Sequence, residues 1–129
     1  MPTVSIDTSA NLGAEAAKVI DCATGVLASA TGAPKEHVNI TLRCNQMMTW
    51  GSQLGGVDGA PHTAQVRVLV SQTLCKEQKQ AIVFGVGALL SPFAPSARTL
   101  FSFEHAAIEN IAVDGLLLPD LIARDASKL

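Results

Sequence analysis

By residue type, Pro2, directly after Met1, is the position best suited to chemistry. Removal of a methionine that precedes a small residue frees a secondary amine. An ordinary α-amino group titrates near pH ~8. An apolar pocket disfavours the ammonium form and lowers that value. The neutral amine can then take a proton from the carbon beside a carbonyl and return it elsewhere. The pyrrolidine ring fixes φ, so such a base is rigid. Taken alone, Met-Pro is a common start and marks an accessible terminus far more readily than a catalyst. His37 can donate to a carboxylate or change charge with pH, although a surface histidine at a strand end is the plainer reading. Arg43 and Arg67 lie among alternating apolar residues, where surface or inter-subunit ion pairs are the first expectation.

Other signals carry less. Cys22, Cys44 and Cys75 are odd in number, widely spaced and free of any CxxC. They indicate neither a disulfide framework nor a zinc site. Gly55–Gly59 (GGVDG) lacks the strand–helix context of a phosphate cradle.

The elements that must hold Pro2 follow from periodicity. Thr3–Asp7 alternates, with Val4 and Ile6 on one face, and predicts a half-buried strand. From Asn11, apolar residues recur at three- and four-residue steps (Ala16, Val19/Ile20, Ala23, Val26/Leu27, Ala30) and predict a helix ending at Gly32. Val38, Ile40 and Leu42 predict a second strand, and Gln53–Pro61 reads as a loop. The pattern then repeats: a strand over Ala64–Val70, a helix over Thr73–Leu90, a break at Ser91–Ser96 and a strand over Thr99–Phe103. Two βαβ units imply parallel pairing within each unit. Together they predict an α/β (α+β) domain with a four-stranded mixed sheet and two helices on one face. Leu69 and Phe101 are read as pointing to the other, uncovered face, which would then need a partner surface. Ile111–Leu118 suits an added strand at a sheet edge or on a neighbour. Residues 1–118 form the expected domain, and 119–129 a tail that can include a short helix.

Composition bounds the function. The chain has 129 residues, 48% of them hydrophobic and 16% charged, with a formal net charge of −2. That supports one packed domain and supplies no basic field for nucleic acid. Four Phe, one Trp and no Tyr leave no base-stacking platform. No run reaches the ~18 apolar residues of a spanning helix, and no signal peptide is visible, so a cytoplasmic protein away from membranes is expected.

Met1-Pro2 ahead of a strand, TGAP at Thr31–Pro34, HVNITLR at His37–Arg43, MMTWGS at Met47–Ser52, Pro61 before the third strand, and RTLFSF at Arg98–Phe103 occur in a telling order. Together they resemble the macrophage migration inhibitory factor family of the tautomerase superfamily. VNITLR and Leu100 make the chain more similar to the D-dopachrome tautomerase branch. The resemblance implies a homotrimer whose pockets lie at the N-terminal proline and are completed by an adjacent subunit. It implies a cofactor-free keto–enol tautomerase acting on a small enolisable carbonyl compound of the phenylpyruvate or dopachrome type, with Pro2 as general base and acid. Decarboxylation by a cationic Pro2, as a dopachrome decarboxylase-like enzyme, is a lesser reading that wants an arginine in the pocket. The resemblance also places His37 at the pocket border and Val70 and Ser71 at its flank, where a backbone N–H can hold a substrate oxygen. Leu100 and Ser102 would come from the neighbouring subunit. The main departure is Ala33, where similar proteins carry a lysine that binds the substrate carboxylate; Lys35, two residues on, reads as a solvated surface lysine. That change favours an alternative, a catalytically weakened, cytokine-like binding protein, released without a signal peptide, for a cell-surface receptor. The Gly-rich loop is expected to reshape the pocket rim.

Overall fold

The computed structural model of the chain describes residues 1–126. Strand β1 (Thr3–Thr8) leads through a 3-10 turn at Gly13–Glu15 into helix α1 (Ala16–Thr31). Gly32 stops that helix in the left-handed conformation (φ 78°), which a residue without Cβ adopts freely, and Pro34 cannot continue it. A 3-10 turn at Lys35–His37 delivers the chain to β2 (Asn39–Arg43). A hairpin of β3 (Thr49–Trp50) and β4 (Gln53–Leu54) follows, so the segment read as a loop from Gln53 begins as a strand. Next come β5 (Ala64–Val70), helix α2 (Lys76–Leu90), a 3-10 turn at Ser96–Arg98 and β6 (Thr99–His105). Cys75 caps α2 with Gln78 in a reciprocal box, which starts the helix three residues later than apolar spacing suggests.

The main sheet has the order β2-β1-β5-β6. β1 is parallel to β2, antiparallel to β5, and β5 is parallel to β6. Each βαβ unit is thus parallel within itself and the two join antiparallel at the centre, which makes the expected mixed sheet. Both helices cover one face. Val4, Ile6, Val66, Val68 and Val70 pack there against Val19, Ala23, Leu27, Ile82, Val86 and Leu90.

The other face corrects the expectation of an apolar surface. Its rows across the sheet are Asn39–Thr3–Leu69–Glu104, Thr41–Ser5–Arg67–Ser102 and Arg43–Asp7–Gln65–Leu100. Ten of these twelve residues are polar. Phe101 belongs to the opposite alternation and packs with Phe103 against the core. Only Leu69 and Leu100 give the open face apolar surface. Arg43 bonds Asp7 there in a bidentate pair at 2.6 and 3.2 Å. The carboxylate's hydrogen bond and charge raise the guanidinium pKa above its ordinary value.

Beyond β6 the chain makes a 3-10 turn at Ile108–Asn110 and a second hairpin, β7 (Ala112–Val113) with β8 (Leu116–Leu117). This apolar segment pairs with itself rather than extending the main sheet. Asp114 and Gly115, at φ 56° and 73°, form its two-residue turn, as an Asp-Gly hairpin demands. Helix α3 (Leu118–Ala126) follows directly. No helix among the described residues is long and apolar enough to cross a membrane.

At the far end of β1, Ser9 Oγ accepts from the Thr63 N–H (3.1 Å) and is hydrogen-bonded to His62 Nδ1 (2.9 Å). Gly56 lies against the His62 ring, where a Cβ would come within 2.3 Å of Cε1. The Gly-rich loop is therefore shaped by a backbone–imidazole contact at this corner.

Neighbours on β1 test the two-faced sheet. Ile6→Ala is expected to lower unfolding free energy by about 2–5 kcal/mol in urea denaturation. Ser5→Ala, on the open face, should stay within about 0.5 kcal/mol. Equal losses would contradict the assignment of faces.

Candidate functional site

Proline at the head of a strand costs no ladder bond, because its missing N–H is not asked for there. Pro2 takes that position at the start of central strand β1. It is buried, and its carbonyl accepts from the Asn39 N–H at 3.0 Å, extending the β1–β2 ladder by one bond. Two registers then converge. Thr3 lies opposite Asn39 and Leu69, so Met1 comes level with His37 on one side and Ser71 on the other. The Met1 ammonium donates to Ser71 Oγ at 3.1 Å, which seals that alignment.

Beside this row lies a cavity of about 280 Å³. Met1, His37 and Ser71 line one side. Ile108, Leu118, Leu121, Ile122 and Asp125 line the other. Ile108 arrives because Ala106 continues β6 past its end, its N–H donating to the Val70 carbonyl at 2.8 Å. The four α3 residues stand at i, i+3, i+4 and i+7 and so form one face of that helix. The cavity is floored by strand ends, walled by a helix face, and carries an amine, an imidazole, a hydroxyl and one carboxylate.

The structure thus brings His37 and Ser71 together with the N-terminus. Pro2 and Val70 sit one residue behind the cavity wall, both buried. Leu100 and Ser102 are not near it within one chain. Leu100 is level with Asp7, five residues or about 16 Å along the strand direction from Pro2, and two strands to the side. Both side chains stand on the open polar face. Lys35 is exposed and, like Arg43 and Arg67, does not line the cavity. Ala33 donates its N–H to Thr31 Oγ1 at 3.2 Å as part of the helix stop. The Gly-rich loop sits at the opposite sheet end and forms no part of this rim. No cluster of three or more metal-ligating side chains occurs among the described residues.

The α3 wall was missed by sequence reasoning. Two signals were present: the Asp114-Gly115 turn, which folds the chain back, and the Leu118/Leu121/Ile122 spacing that follows it.

No protein-family model and no curated protein sequence match the chain. Solved structures do. A macrophage migration inhibitory factor homologue from Prochlorococcus marinus superposes at TM-score 0.79 with 20% identity, over 90% of this chain and 98% of its own. A native fused 4-OT gives 0.77 with 21% identity over 92% and 98%. The macrophage migration inhibitory factor of Oncomelania hupensis gives 0.77 with 16% identity over 99% and 89%. The chain shares their fold.

Placement at the cavity rim makes His37 dispensable for folding. His37→Ala should change unfolding free energy by less than about 0.5 kcal/mol. A loss on the scale of a core truncation, in the same urea titration, would contradict that placement.

Proposed function

We propose that this chain, which has the macrophage migration inhibitory factor fold, is a cofactor-free keto–enol tautomerase with Pro2 as general base and acid. The observation that carries the reading is the row of Met1, His37 and Ser71 beside a small cavity. Removal of Met1 would leave the Pro2 amine at the head of the central strand, facing that space. In its neutral form that amine accepts a proton from the carbon next to a carbonyl. Ser71, and His37 when it carries the proton, supply donors toward an enolate oxygen. The proton then returns from Pro2 to the other carbon or to oxygen, and the ketone and enol interconvert with no redox change.

The proposed assembly is a homotrimer. The polar open face supports it, since such a surface can face a water-filled interior between subunits. Leu100 and Ser102 would complete a neighbour's pocket from that face. Decarboxylation by a cationic Pro2 would need an arginine from a neighbouring subunit, since neither Arg43 nor Arg67 lines the cavity within one chain.

A second reading is a receptor-binding protein of the same fold. Ala33 favours it, because the position offers no charge for a substrate carboxylate. Lys35 does not replace it.

Turnover of phenylpyruvate and of a dopachrome ester, read with intact mass, separates the two. Wild type lacking Met1 should turn over at least one of them, and Pro2→Gly should lose about 100-fold or more in kcat/KM. Correctly processed protein without turnover would move the assignment to binding. Ala33→Lys should raise kcat/KM for phenylpyruvate by about 10–100-fold, the value of one charge-assisted contact. No gain would contradict the role given to the missing lysine.

A further inference from the structure

The wall opposite the N-terminal amine carries information about the substrate. Leu118, Leu121 and Ile122 present methyl groups from one face of α3, and Ile122 is 53% exposed. Asp125 ends the same stripe. Its Oδ1 accepts from Arg124 Nε at 3.3 Å, while Arg124 Nη1 donates to Asp114 Oδ2 at 3.1 Å. That guanidinium is shared between Asp125 and the β7–β8 turn, and it is not part of the cavity lining. An anionic substrate group directed at this wall would meet aliphatic surface, which cannot replace its water, and a carboxylate of its own sign. A neutral carbonyl compound has neither problem. Its oxygen needs one or two donors, which Ser71 and His37 provide on the other side, and its apolar body covers Ile122. With Met1 in place the cavity is about nine waters' worth, and loss of Met1 enlarges it, so it admits at least one ring or a short branched chain.

We propose that α3 is the specificity wall of this site and that it selects an uncharged, compact, apolar carbonyl compound over a carboxylate. The inference rests on the tautomerase reading and names the substrate class of the same cavity. Leu121 and Ile122 set the shape of the apolar body, and Asp125 sets the charge preference.

The test compares methyl phenylpyruvate with phenylpyruvate as substrates, and methyl phenylacetate with phenylacetate as unreactive ligands. In wild type, kcat/KM for the ester should exceed that for the acid by about tenfold or more. Asp125→Asn should narrow the gap, and Asp125→Lys should bring it within about threefold. Ile122→Lys, at a half-exposed position that leaves the core intact, should lower the ester's kcat/KM about tenfold. NMR titration of Pro2→Gly protein gives a readout independent of turnover. Methyl phenylacetate should shift the Leu121 and Ile122 methyl signals, and phenylacetate should do so only at higher concentration. Ester binding at α3 without wild-type turnover would sustain the wall and overturn the tautomerase reading. Turnover that favours the acid, or that ignores Asp125 and Ile122, would overturn the wall and leave the tautomerase reading standing.

Discussion

Everything at the candidate site depends on the register of β1 between its two neighbours. A parallel ladder to β2 and an antiparallel ladder to β5 bring Met1, His37 and Ser71 level, though they are far apart in sequence. A slip of one residue on either side would turn the core face of that strand toward solvent. Val4 and Ile6, fully buried, forbid the slip. The hydrophobic core therefore fixes the position of the amine through the strand register.

The same constraint divides the molecule into two unlike surfaces. The helix-covered face is packed with Val, Ile and Leu, and the open face is a lattice of Thr, Ser, Asn, Asp and Arg. An open face of this kind remains wetted at no great cost. It suits a subunit that gathers around solvent better than one that hides an apolar sheet. Leu69 and Leu100 are the exceptions, and the exposed Leu100 sits where the strand order ends at an edge.

Much of this was legible in the residues. Period-two and period-three-to-four patterns located the four long strands and both long helices within a few residues, because the central strands β1 and β5 and both helices each bury one clean stripe. Phe101 was misread because Leu100, Phe101 and Phe103 put apolar side chains on both alternations of β6, and only the pairing with β5 decides between them. His37 and Ser71 were legible through family resemblance, not through spacing, since the register that unites them is long-range. The α3 wall was least legible. Its stripe is only three apolar residues and a carboxylate, and its place over the N-terminus depends on the β7–β8 turn and on how β6 runs past its last ladder pair. The last three residues of the expected tail, 127–129, lie outside the described residues.

The central claim is that the strand register presents a reactive N-terminal amine to a small-molecule cavity. Reductive alkylation tests it directly. Protein whose intact mass shows loss of Met1 is treated at neutral pH with a small aromatic aldehyde and cyanoborohydride, and the labelled residue is located by peptide mapping. A neutral Pro2 amine forms an iminium that is reduced to a stable adduct, so Pro2 should be labelled first, ahead of every lysine. Retention of Met1, or labelling of Pro2 no faster than of Lys35, would contradict the account.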